Sequence, residues 1–386
     1  MRIVASYPIH IKAAGPGYAA HAIIESMIDS GADATLFCYT TELSLKSKFH
    51  RYVLPPRLKS LGYRLLSQET IRKIMEKRFI GALEKKDIAY LWPGSSVELF
   101  RKVKQRGNII VTEKINTHLA TSKPILDVEY SRLGIPVGHK QDFAGIAVEN
   151  SKFELADYLY SPSEQVTGSL VKAGVPSNKI ISCSYGLATS DIFSDDLIAK
   201  RKKKEITAVF MGRIGIRKGV LLLLDYWVKA GVQGILKLVG AIEPNVRQLV
   251  APYLERPDIQ HVGYCQDLKP VLQEADVFML PSLEEGSPLV TYLAMGAGLP
   301  SLVSPMGGGS IVRDGQDGII MDPYDSDAWV EAIRKVFADP KLRKDFGSNA
   351  HERSYYYTWP LVGQRRWEAL RDRLTGRVGH HNSQVQ

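Results

Sequence analysis

Leu280-Pro281-Ser282-Leu283-Glu284-Glu285-Gly286-Ser287-Pro288-Leu289-Val290-Thr291-Tyr292-Leu293-Ala294-Met295-Gly296-Ala297-Gly298 is the stretch that decides the fold. An apolar strand, Val277 to Leu280, runs into a Pro-Ser turn and then an acidic loop that ends at Pro288. Proline suits the first position of a helix, where its missing N–H costs no hydrogen bond. Leu289, Val290, Leu293 and Ala297 then recur at helical spacing. Such a helix start leaves unpaired N–H groups and a partial positive charge, which favour phosphate. With the Glu285 carboxylate beside it, the stretch reads as a site for a phosphorylated, hydroxyl-rich ligand. Glu284 reads as a solvated neighbour.

Outward from this stretch, strand-like and helix-like segments alternate in both directions. Strands are expected at Thr207–Met211, Gly234–Val239, Ile259–Val262, Val277–Leu280 and Ser301–Val303. An earlier series is expected at Arg2–Ser6, Ala34–Tyr39, Ile88–Leu91, Asn108–Thr112, Tyr158–Ser161 and Ile180–Ser182. Helices are expected around Tyr18–Ser30, Glu98–Gln105, Leu126–Leu133, Ser163–Ala173 and, after Thr358-Trp359-Pro360, to Leu374. This rhythm predicts α/β architecture, with parallel sheets covered on both faces in two Rossmann-like domains facing a cleft. Lys200-Arg201-Lys202-Lys203-Lys204 reads as a solvated linker, and the tail from Gly376 as disordered.

The chain's 386 residues allow two domains, and 45% hydrophobic with 24% charged residues suits a globular protein. Asp225, Lys229 and Lys237 interrupt the most apolar stretch, so no membrane span is expected. The opening Met1-Arg2-Ile3-Val4-Ala5-Ser6-Tyr7 reads as a strand, not a signal peptide, and the expected location is cytoplasmic. Cys38, Cys183 and Cys265 are scattered and read as small buried hydrophobes. Between Lys46 and Lys104 there are 15 Lys/Arg against 5 Asp/Glu, which accounts for the whole net charge of +9. Segment 46–104 is either a solvated helix face or a means of peripheral attachment to an anionic membrane at its inner face. No recognition motif accompanies the charge, so nucleic acid is not an expected partner.

Two further loops carry candidate chemistry. Gly15-Pro16-Gly17 lies well after the first strand, which excludes a dinucleotide fingerprint and leaves either a close-approach loop or an ordinary turn. Phe210-Met211-Gly212-Arg213-Ile214-Gly215-Ile216-Arg217-Lys218-Gly219 lacks the ending of a Walker loop. It offers Arg213 as a planar fork and Lys218 as a point charge at a strand end, a pair suited to a diphosphate. No set of side chains at metal-ligand spacing is read, and neither metal nor cofactor is expected.

Gly212-Arg213 with Lys218-Gly219, Gly263-Tyr264, Pro281-Ser282-x-x-Glu285-Gly286, Pro288-Leu289-Val290, Gly307-Gly308, Asp314-Gly315 and Pro323 occur in order. Over roughly Val209 to Leu370 this resembles the retaining GT-B glycosyltransferases of the family 4 type, which move a sugar from a nucleoside diphosphate. The resemblance implies an N-terminal acceptor domain over 1–187, a linker over 188–205 and a donor domain over 206–355. A last helix over 356–375 would cross back to the first domain, before a tail over 376–386. It implies that Arg213 and Lys218 hold the diphosphate and that Glu285 faces the donor sugar. Gly15, Gly17, Gly212, Gly263, Tyr264, Gly286, Ser287, Leu289 and Val290 are the implied donor-binding positions. His118, with Glu113 and Asn116, is a candidate for contact with the sugar or acceptor, and 149–151 for the acceptor side. The implied substrates are a UDP- or GDP-linked hexose and a glycan or lipid-linked acceptor.

The chain departs from the pattern at Leu293, where the family usually carries a ribose-binding glutamate. Three readings therefore stay open: a retaining hexosyltransferase, a nucleotide-sugar epimerase of the same fold, and a GT-B protein that binds without turnover.

Overall fold

The computed structural model describes residues 1–43, 48–53, 64, 66–200 and 205–376. These residues build two parallel sheets. The first contains β1 (Arg2–Tyr7), β2 (Asp33–Cys38), β3 (His50–Tyr52), β4 (Ile88–Leu91), β5 (Ile109–Glu113), β6 (Tyr158–Ser161) and β7 (Ile180–Ser182). Its order is β3-β2-β1-β4-β5-β6-β7. The second contains β8 (Thr207–Met211), β9 (Ile235–Val239), β10 (Ile259–Gly263), β11 (Val277–Leu280), β12 (Ser301–Val303) and β13 (Gly318–Ile320), ordered β10-β9-β8-β11-β12-β13. Every residue of β8 and β11 is buried, as a strand covered on both faces requires.

This topology positions the site. In each sheet the chain moves outward on one side, then returns to the first strand's other flank. β1 thus pairs with both β2 and β4, and β8 with both β9 and β11. Beyond the carboxyl ends of strands at such a reversal an α/β sheet opens a crevice. The loops after β8 and β11 are neighbours there. Gly219 closes the gap between them: its φ is +67°, and a Cβ at this position would lie 2.0 Å from the Pro281 carbonyl oxygen.

The last helix, Trp359–Thr375, leaves the second domain and lies on the first helix, Gly15–Asp29, of the first. Gly363 makes this approach possible, since a Cβ there would sit 2.2 Å from Ser26 Cβ. The two crossings between domains are laced together: Leu187 N donates to Tyr357 O and Trp359 N to Leu187 O, both at 3.0 Å.

Some elements differ from the sequence reading. The short strands β3 and β13 and the helix Phe143–Leu155 were not expected, and the helix expected from Leu126 begins at Leu119. In the basic segment, the helix Gln68–Ala82 buries Ile71, Met75 and Phe79 and turns Lys73, Lys77 and Arg78 to solvent. Residues 44–47, 54–63 and 65 of that region, 201–204 of the basic cluster and 377–386 of the tail lie outside the described residues. Among the described residues no helix is long and apolar enough to cross a membrane.

Candidate functional site

A cavity of about 590 Å³ opens between the two domains. This is within the usual range for a small-molecule site, about 300–1,000 Å³. Its walls include the loop and first turn after β1, the Ile115–Asn116 loop after β5, Arg217 and Lys218 after β8, and Glu285 and Ser287 after β11. The first residues of the helix Leu289–Gly296 complete it.

The charged centre is compact. Lys218 Nζ lies 2.6 Å from Glu285 Oε1, and Arg217 Nη1 donates to the same carboxylate. Arg217 also donates to the Glu284 carbonyl at 3.0 Å. Burial alone would raise the Glu285 carboxyl; Lys218 and Arg217 outweigh it and hold the group below its ordinary value. Burial pulls the Lys218 ammonium down, against the opposing pull of Glu285. Glu285 is therefore charged, and the Lys218 and Arg217 cations stand beside it. The start of the helix at Leu289 borders the same cavity as those cations. That helix start has no side-chain cap, and Pro288 occupies the position just before the first helical residue.

The expected residues divide on inspection. Lys218, Glu285, Gly15, Ser287, Leu289 and Val290 line the cavity. Arg213 does not: its side chain is 71% exposed and turns to Glu243 at 3.7 Å. The tight turn of 216–218 swings Arg217 inward in its place, and the sequence reading missed that cation. Gly212 supports Lys218 from behind, a Cβ there lying 3.4 Å from Lys218 Cε. Gly17 belongs to the first helix and packs beside Ile11. Gly263 and the 74%-exposed Tyr264 stay outside, whereas Gln266 to Lys269, just beyond them, form part of the wall. Gly286 faces the other domain, not the cavity.

His118 also departs from expectation. It is fully buried, its Nδ1 accepts from Ala120 N at 3.1 Å, and its Nε2 meets Asn150 Oδ1 at 2.9 Å. The ring thus caps its own helix instead of reaching the cleft. Glu149 is engaged with Lys114 and Leu119 N, and Glu113 with Arg366, so neither reaches the cavity. Glu284, read as solvated, is 1% exposed and bound by the opposite domain. Leu293 is part of the cavity wall. Among the described residues no three or more His, Cys, Asp or Glu side chains gather as metal ligands.

Residues 205–339 match the model of the family described as glycosyl transferases group 1. That match covers most of the second domain. Lipopolysaccharide core biosynthesis glycosyltransferase LpsE of Rhizobium meliloti is 30% identical over 165 residues, 42% of this chain and 46% of that one. UDP-Gal:alpha-D-GlcNAc-diphosphoundecaprenol alpha-1,3-galactosyltransferase of Escherichia coli is 37% identical over 82 residues, 21% of each chain. The chain spans less than half the length of the curated relatives it matches. Among solved structures, Anabaena Alr3699/HepE in complex with UDP superimposes with a TM-score of 0.68 at 15% identity, covering 96% of this chain and all of that one. WaaG, a glycosyltransferase involved in lipopolysaccharide biosynthesis, gives 0.66 at 14% identity, with 97% and 100% covered. The fold is therefore GT-B across both domains.

Proposed function

We propose that the protein is a glycosyltransferase that moves a hexosyl unit from a UDP- or GDP-linked donor to a glycan or lipid-linked acceptor, with retention of anomeric configuration. The observation that carries this reading is the convergence of Lys218, Arg217 and Glu285 at the start of the helix Leu289–Gly296, inside one cavity between GT-B domains. In the reaction the bond from the anomeric carbon to the diphosphate breaks, and the leaving oxygen keeps the electron pair. Arg217 and Lys218 neutralise that charge. The acceptor oxygen bonds to the same face of the anomeric carbon. Its proton passes to the departing diphosphate, because Glu285, held charged between two cations, is a poor base. Glu285 instead accepts hydroxyl hydrogen bonds and steadies the positive charge at the anomeric carbon. Two protein cations at the diphosphate support a metal-independent reaction.

Leu293 favours one competing reading, a protein that binds nucleotide without turnover. Thermal-shift measurements with UDP, GDP and ADP, followed by donor hydrolysis with and without chelator, separate the two. Stabilisation by one nucleotide together with release of free sugar supports transfer chemistry. Stabilisation without release supports the binder, and no stabilisation by any of the three overturns both. Activity lost to chelator and restored by Mn²⁺ overturns metal independence. The exposed Lys73, Lys77 and Arg78 face is our basis for attachment beside a lipid-linked acceptor; vesicle binding that ignores anionic lipid content removes it.

A further inference from the structure

The residue next to Glu285 has partners that the proposed chemistry does not use. Glu284 Oε1 accepts from Thr117 N at 3.0 Å and from Thr117 Oγ1 at 2.7 Å, and Oε2 accepts from Asn116 Nδ2 at 3.1 Å. All three donors come from the first domain. Arg217 Nη1 lies 3.7 Å from Glu284 Oε2, while the same nitrogen serves Glu285. One guanidinium is therefore shared by two consecutive carboxylates, and one of the two is held across the cleft. The contact is close throughout: a Cβ on Gly286 would lie 1.6 Å from the Ile115 carbonyl oxygen, so loop 115–117 rests directly on 284–286.

We infer that Glu284 is a positioning residue through which docking of the Asn116–Thr117 loop sets the orientation of Arg217, and hence of Glu285. With the loop docked, three donors satisfy the buried Glu284 carboxylate and Arg217 holds Glu285. With the loop withdrawn, the same carboxylate loses all three donors, and Arg217, 3.7 Å away, is the cation already within ion-pair reach of it; a charge stripped of its donors is disfavoured. The guanidinium then moves to Glu284 and leaves Glu285 to Lys218 alone. A ligand on the second domain thus meets a fully ordered Glu285 only when the first domain is in place. Glutamine at 284 keeps an oxygen for Thr117 but loses the charge that competes for Arg217, so it separates the two roles.

The inference rests on the donor-site reading only for its turnover arm. In the full chain, Thr117→Val and Glu284→Gln are compared with Thr117→Ser, which retains both donors. Hydrogen exchange across 115–118, read without any substrate, is expected to accelerate about tenfold in Thr117→Val, the effect of losing one hydrogen bond to a charged group, and by less in Glu284→Gln, which keeps an acceptor for Thr117. Thr117→Ser is expected to restore it. Donor turnover in Thr117→Val is expected to fall about tenfold in kcat, and by less in Glu284→Gln, while the Kd for UDP changes less than about threefold, since the re-aimed Arg217 remains as a charge at the cavity beside Lys218 and the helix start. Unchanged exchange at 115–118 in Thr117→Val overturns the inference, as does a loss of UDP affinity equal to the loss of turnover. Failure of the wild-type protein to bind any nucleoside diphosphate sinks the transferase reading, while the exchange arm still tests the Glu284 contact.

Discussion

Arg366 and Glu113 form an ion pair with neither side chain exposed: Arg366 Nη1 donates to Glu113 Oε2 at 3.0 Å. The arginine lies on the last helix and the glutamate at the end of β5, so the pair joins the chain's final segment to its first sheet. Arg366 Nη2 also donates to the Cys183 carbonyl at 3.0 Å, and Tyr90 donates its hydroxyl to Glu113. Removing one charge leaves the other buried and uncompensated. Glu113→Gln is expected to cost about 3–5 kcal/mol. Urea unfolding checks this; a midpoint within error of the parent would mean that water reaches Arg366.

Arg217→Ala and Lys218→Ala are each expected to weaken UDP binding by about one to two decades, since a hydrogen bond to a charged group is worth roughly 1.5–3 kcal/mol. Arg213→Ala, whose side chain is mostly in solvent, is expected to change it by less than a factor of about three. Titration calorimetry on the three variants gives the ranking. A larger effect at Arg213 than at Arg217 would refute the assignment of the second cation.

Leu293 lies on the cavity wall, one turn along the helix from Leu289. A carboxylate at this point can accept from the ribose hydroxyls of a bound nucleotide. Leu293→Glu is accordingly expected to tighten UDP binding about tenfold, with little change for inorganic pyrophosphate, which has no ribose. Equal effects on both ligands would place the ribose elsewhere.

His21 and His50 stack at 5.0 Å and share a hydrogen bond of 3.2 Å between ring nitrogens. Burial pushes both imidazoles down to about 4, with each other's charge adding to the effect at His50. The unfolded chain binds these protons near pH 6.5 and the folded chain only near 4. Stability is thus unaffected by the pair above about pH 6.5 and is lost as pH falls from there towards 4. For one imidazole the loss approaches about 3 kcal/mol, at about 1.36 kcal/mol per pH unit. Urea midpoints at successive pH values should show this slope, and His21→Phe should flatten it; a slope unchanged in that variant would assign the effect to other groups.

The strands that build the two sheets were legible because burial on both faces turns them into apolar runs such as Val277–Leu280. The edge strand His50–Tyr52 carries polar residues and, among the described residues, pairs only with β2, so it left no such pattern. Pro124 concealed the first turns of the helix Leu119–Arg132. Within the site, residue types and spacing pointed to Lys218, Glu285 and the helix start. They did not distinguish Arg213 from Arg217, because loop path, not composition, decides which cation turns inward. Glu284 was misread for another reason: its donors lie 167 and 168 positions upstream, beyond any local signal. His118 follows the same rule, its setting fixed by Asn150 and by the backbone of its own helix.

The lacing of Leu187 to Tyr357 and Trp359 gives the two halves a spine, as in a bound book. A swing about that spine would keep these bonds while it opened the Asn116 and Thr117 contacts to Glu284 on another side of the cleft. Gly186, Leu187 and Ala188 also border the cavity, so such a swing would move this margin of the page less than the Ile115–Asn116 margin.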